Sequence, residues 1–159
     1  MKKNNLISFV PVLLFSIFLI SCNEQQDKKP VAEAVSGHPA WSAQSNIYEV
    51  NLRQFTKEGT IMAFEKALPR LKDMGVEILW FMPITPIGVE GRKMTEKEMG
   101  SYYAVKDYKA FNPDYGTMDD WKAFVKRAHE MGFKVITDWV ANHSAPDNAW
   151  IKTHPQFYA

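Results

Sequence analysis

A chain of 159 residues, 46% apolar and 23% charged, has the length and composition of a globular protein with one buried core. A formal net charge of +1, with no basic stripe interleaved with aromatics, argues against a nucleic-acid partner. Aromatics at 13% suit a carbohydrate-facing surface or ordinary core packing equally well.

The first 22 residues read as a leader. Lys2 and Lys3 precede an apolar stretch from Leu6 to Ile20, broken by Ser8, Ser16 and Pro11 and followed by Ser21, Cys22 and Asn23. Those are secretory-signal proportions, short for a membrane span. Leu19-Ile20-Ser21-Cys22 resembles the bacterial lipobox, in which the cysteine is lipidated and becomes the mature N-terminus. Cys22 is the only cysteine, so no disulfide within the chain competes for it. An ordinary signal peptide cleaved nearby, leaving a free thiol, is the alternative. Lipidation would make this an exported protein of the bacterial envelope, anchored at Cys22 and facing the periplasm or the cell exterior. One acyl chain binds a membrane only marginally, so a stable anchor requires more than one. Residues 23–44 are polar with scattered Ala, Pro and Gly, the composition of a flexible linker.

The folded part is expected over residues 45–159. Ile47-Tyr48-Glu49-Val50 reads as a short strand with a polar-rich exit. Thr60 is placed to cap a helix whose Ile61, Phe64, Leu68 and Leu71 share one face. Pro69 either kinks that helix or opens a second helical piece, and Gly75 stops it. Val76 to Met82 is nearly continuously apolar, as in a parallel strand covered on both faces, and Pro83 and Pro86 end it. A long excursion runs from Ile87 to about Asn112, in which Met94 to Met99 is a candidate short helix. Thr117, with Asp120 three residues on, caps a helix that places Met118, Trp121, Phe124, Val125, Ala128 and Met131 on one face. Gly132 closes it, and the β-branched run Val135, Ile136 and Thr137 reads as a third strand. Pro146 to His154 is a candidate for one more short helical segment.

The order β, α, β, long loop, α, β implies two consecutive βαβ units and a parallel sheet with helices outside. The expected fold is α/β, about the first three βα units of a (β/α)8 TIM barrel, forming the front portion of a larger domain. Side chains at the carboxyl ends of such strands face the ligand crevice, where Asp138, Asn142 and His143 fall. A carboxylate, an amide and an imidazole there would suit one small polar ligand. The alternative is loop residues bonding their own backbone.

Asp138-Trp-Val-Ala-Asn-His143 resembles the first signature region, Asp-x-x-x-Asn-His, of the α-amylase family of glycoside hydrolases (glycoside hydrolase family 13). Residues 47–55 resemble that family's first barrel strand and residues 75–84 its second. Residues 100–108 and 111–117 resemble the loop that follows. The resemblance implies a retaining hydrolase of α-glucosidic bonds in starch-like glucans or maltooligosaccharides. His143 would hydrogen-bond the reacting sugar, Tyr103 would stack on it, and Asp138 would orient neighbouring groups. Asn142 would give one oxygen to a structural calcium, and Asp107 would be a structural acid. The imidazole of His143 and the phenol of Tyr103 would thus meet a single glucose unit. The family's catalytic Asp, Glu and Asp follow the fourth, fifth and seventh strands, so all three would lie beyond Ala159 and this fragment alone would be inactive. A catalytically inactive glucan-binding lipoprotein, a transglycosylase and an isomerase of the same family remain alternatives.

Overall fold

The computed structural model describes residues 37–93, 95 and 98–158. The leader with Cys22, and residues 23–36 of the expected linker, lie outside the described residues. Strands β1 (Ile47–Val50), β2 (Ile78–Phe81) and β3 (Lys134–Thr137) form one parallel sheet in the order β1-β2-β3. The register aligns Tyr48 with Leu79 and Val135, and Glu49 with Trp80 and Ile136. Because side chains alternate along a strand, these two rows lie on opposite faces.

Helices cover the first of those faces. The chain leaves β1 through a single turn, α1 (Leu52–Phe55), where the sequence suggested only a polar exit. The next helix is two pieces, α2 (Ile61–Glu65) and α3 (Leu68–Asp73), with Pro69 in the first turn of the second. Of the two readings of Pro69, the fresh start is realised, because a first-turn position needs no proline N–H. Thr60 caps α2 by accepting the Ala63 N–H at 3.3 Å. Helix α4 (Met118–Glu130) starts at a full capping box: the Thr117 hydroxyl accepts the Asp120 N–H, and the Asp120 carboxylate accepts the Thr117 N–H. Helices α3 and α4 end alike. Val76 N–H reaches back to Leu71 O and Gly75 N–H to Lys72 O, as Phe133 does to Ala128 and Gly132 to His129. That paired pattern is the Schellman close.

Beneath these helices Ile61, Phe64, Leu68, Leu71 and Phe124 pack on Val50, Leu79 and Phe81, all at most 1% exposed. Phe64 is the hub, with ring contacts to Phe55 at 4.7 Å, Phe81 at 5.4 Å and Phe124 at 5.7 Å. Met118, although on the expected apolar face of α4, is exposed.

The excursion after β2 folds back on itself. An antiparallel bridge joins Ile87 to Val105, flanked by Gly88 N–H to Ala104 O and Lys106 N–H to Pro86 O. Within it Thr95, Glu98 and Met99 are not helical, and the rest of the expected Met94–Met99 helix (Met94, Glu96, Lys97) includes residues outside those described. The segment after β3 is stapled onto this loop. Val105 O accepts both the Ala145 N–H and the Asn148 side-chain amide, while Asp147 accepts the Val89 N–H and sits 3.4 Å from Lys106 Nζ. Helix α5 (Trp150–Thr153) and a 3-10 turn at Pro155–Phe157 follow, close to the segment expected. No helix among the described residues is long and apolar enough to cross a membrane.

Candidate functional site

The three strands end at one rim. The ladder continues one residue past β2 and β3, through Met82 N–H to Val50 O and Asp138 N–H to Phe81 O. Asp138 is therefore held by backbone at the carboxyl end of β3. Its two oxygens are both engaged: Oδ1 accepts the Trp80 indole N–H at 3.0 Å, and Oδ2 accepts the Tyr103 hydroxyl at 3.0 Å. Trp80 rises from β2 on the face away from the helices, and Tyr103 comes from the loop. A carboxylate, a phenol and an indole thus meet over sequence separations of 58 and 35 residues.

Tyr103 as a residue is 40% exposed, while its hydroxyl oxygen is tied to Asp138. Burial raises its phenol above the ordinary tyrosine range, and the hydrogen bond and charge of Asp138 add to that. The neighbouring Tyr102 turns the other way, donating to Asn51 Oδ1 at 3.0 Å. Tyr102 is therefore part of the support and Tyr103 is the presented ring.

His143 and Asn142 stand in different surroundings. The Asn142 side-chain amide lies 3.2 Å from His143 Nδ1. Both line a cavity of about 370 Å³ together with Tyr108, Trp139, Trp150 and Phe157. Tyr108 stacks on Trp150 at 5.2 Å and leans on Trp139 at 5.1 Å. Its hydroxyl lies 2.7 Å from Val140 O and 2.6 Å from His143 O, fixing the backbone of the loop that carries the histidine. Tyr103 and Asp138 do not line this cavity. The site residues expected from sequence are thus arranged in two groups, Asp138 with Tyr103 and Asn142 with His143. No hydrogen bond among the described residues links one group to the other. Asp107 accepts the Lys109 N–H at 2.8 Å, a local turn.

Calcium requires six or more oxygens. Among the described residues no three Asp, Glu, His or Cys side chains converge, and Asn142 offers a single amide oxygen. The described residues do not by themselves assemble a calcium site.

Sequence reasoning missed Trp80 and Arg53. Trp80 was hidden inside an apolar run, although an indole among aliphatic strand residues is itself a signal, since its N–H needs a partner when buried. Arg53 gave no signal, because its partners are carbonyls 46 and 47 residues away.

Fold and rim together define a parallel α/β barrel-type sheet with polar and aromatic side chains gathered at its carboxyl end. The model of the alpha amylase catalytic domain matches residues 22–157, and the chain belongs to that family. It is 34% identical over 129 residues to an alpha-1,4-glucan:maltose-1-phosphate maltosyltransferase of Chlorobaculum tepidum, covering 72% of this chain and 19% of that protein. An oligo-1,6-glucosidase of Halalkalibacterium halodurans is 32% identical over 117 residues, covering 69% and 19%. Among solved structures, an alpha-amylase from Lactobacillus plantarum superposes with a TM-score of 0.68 at 44% identity, covering 72% of this chain and 26% of that one. A maltogenic alpha-amylase from Thermotoga neapolitana gives 0.66 at 45%, covering 72% and 27%. The chain spans 16% to 19% of the length of these first curated relatives. The three-stranded sheet with its helices is a partial TIM barrel of the alpha-amylase type.

Proposed function

We propose that this chain supplies the sugar-contacting rim of an α-amylase-type retaining glycoside hydrolase acting on α-glucosidic bonds of starch-like glucans or maltooligosaccharides. The observation that carries the reading is the Trp80–Asp138–Tyr103 constellation at the carboxyl rim of a family barrel sheet. An aromatic face suits the C–H surface of a glucose ring, and a carboxylate already fixed by two donors is preorganised to hold that face in place. In this reading His143 adds a hydrogen bond to the same sugar from the neighbouring loop. Retention requires two carboxyls about 5 to 5.5 Å apart across the scissile bond. The Asp/Glu/Asp set is proposed to lie outside these residues, so the chain binds without cleaving. A lipid anchor at Cys22 and an envelope location complete the proposal.

The test is retention of the full chain on immobilised amylose with elution by maltose. Wild type should be retained, and a Tyr103→Ala/Asp138→Ala double variant should run through. Wild type running through would sink the glucan reading. Group transfer is a second reading, favoured by the maltosyltransferase relatives. It is separated by asking whether the whole protein releases reducing ends or passes glucosyl units to an added acceptor.

A further inference from the structure

The loop that carries Tyr103 has little regular structure of its own, yet the hydroxyl of Tyr103 is placed within 3.0 Å of Asp138. We propose that Arg53 is the positioning residue for this ring, its guanidinium acting as a fork that locks the 99–103 segment against the exit of β1. Nη1 donates to Gly100 O at 3.1 Å and Nη2 to Met99 O at 3.3 Å. The guanidinium carbon lies over the Tyr102 ring, 4.0 Å from its centroid. Tyr102 in turn is pinned through its hydroxyl to Asn51, two residues before Arg53. Two successive carbonyls, one ring and one hydroxyl are thereby fixed to a single turn of chain at the end of β1. The next side chain along is Tyr103.

The backbone needed for this grip is specific. Gly100 has φ +77°, and a Cβ there would come within 2.6 Å of Arg92 Cδ and 3.0 Å of Ile87 Cγ2. Arg92 Nη1 also donates to Met99 O, at 3.4 Å, so a second guanidinium closes on the same carbonyl. Arginine suits this place for its geometry. A planar fork can serve two carbonyls and stack on a ring at once, whereas a lysine ammonium is a point donor.

The inference rests on the glucan reading only for its effect on binding; the placement of Tyr103 is tested separately. The full chain is compared with Arg53→Met and Arg53→Lys, each alone and with Tyr103→Phe. The Tyr103 phenol is followed by ultraviolet titration in alkali, as the difference between each protein and its Tyr103→Phe partner. Affinity for maltoheptaose is measured in parallel, and circular dichroism establishes that each variant is folded. In Arg53→Met the phenol should leave Asp138 and titrate in the ordinary tyrosine range, and affinity should fall roughly tenfold. Adding Tyr103→Phe to Arg53→Met should then cost nothing further. Arg53→Lys, which disturbs the fold least, should fail to restore either property. A phenol that titrates in both Arg53 variants as in wild type would overturn the proposal, even if thermal stability dropped. Full rescue by lysine would overturn it as well. If wild type binds no maltoheptaose, the glucan reading fails and the titration alone decides the role of Arg53.

Discussion

The two faces of the sheet differ sharply. On the helix-covered face Val50, Leu79 and Phe81 have no exposed surface, and Phe64 and Phe124 pack onto them edge to face. On the other face Ile47 is 57% exposed and Ile136 44%, beside Glu49 and a half-buried Trp80. The covered face makes the stability of this chain. The open one carries a row, Glu49–Trp80–Ile136, of the kind that in a closed (β/α)8 barrel forms an interior layer. Its one engaged group at the rim is Trp80, whose indole N–H serves Asp138. The difference teaches that stability and the candidate site are built on opposite sides of the same three strands.

The largest expected effect lies on the covered face. Phe64→Ala empties a site ringed by three aromatics and should cost about 3 to 5 kcal/mol in denaturant unfolding. A loss below about 1 kcal/mol would mean that the faces do not differ as described. Thr117→Ala removes the cap of α4, the helix that lies over β3, and should cost about 1 kcal/mol. A smaller and pH-dependent effect belongs to the staple at Asp147. The Val89 N–H, with help from Lys106, holds this carboxyl below the usual aspartate range. A depressed folded-state value means that the stabilisation is present at neutral pH and lost as pH falls through that value. The midpoint of thermal unfolding should therefore drop below about pH 4 more steeply in wild type than in Asp147→Asn. Parallel curves would show that the staple does not titrate with folding. Least of all should change with Ile47→Thr and Ile136→Thr, by about 0.5 kcal/mol each, because roughly half of each residue's surface is already exposed. These substitutions should instead reduce concentration-dependent self-association in sedimentation, since they remove exposed apolar surface. Equal association in wild type and variant would show that the open face is not sticky.

The covered face was legible in the sequence because helical periodicity reports burial directly. Ile61, Phe64, Leu68, Leu71, Phe124 and Ala128 were expected on apolar faces and are buried there. The Thr117–Asp120 box was equally readable, being a local hydrogen-bond pattern. Pro69 left two outcomes open because local chemistry allows both a kink and a fresh start. Helix α1 was missed because one turn has too few residues for a period. Asp138 was reached from its place at the carboxyl end of the third strand and Tyr103 through resemblance, and their hydrogen bond is a contact that no spacing reveals. Trp80 and Arg53 act across the fold, one through an indole N–H and the other through backbone carbonyls, so the sequence marks no partner for either. The expectation that His143 and Tyr103 share one ligand came from the resemblance as well, and no pattern along the chain relates the two, since separate hydrogen bonds hold them.

The central claim is that the rim around Asp138 receives an α-glucan. It is tested most directly by titrating the full chain at micromolar concentration with maltoheptaose while following Trp80 emission, taken as the difference between wild type and Trp80→Phe. The account predicts a saturable change that is lost in Tyr103→Ala and absent with cellohexaose. No change with maltoheptaose, or the same change with both sugars, would contradict it.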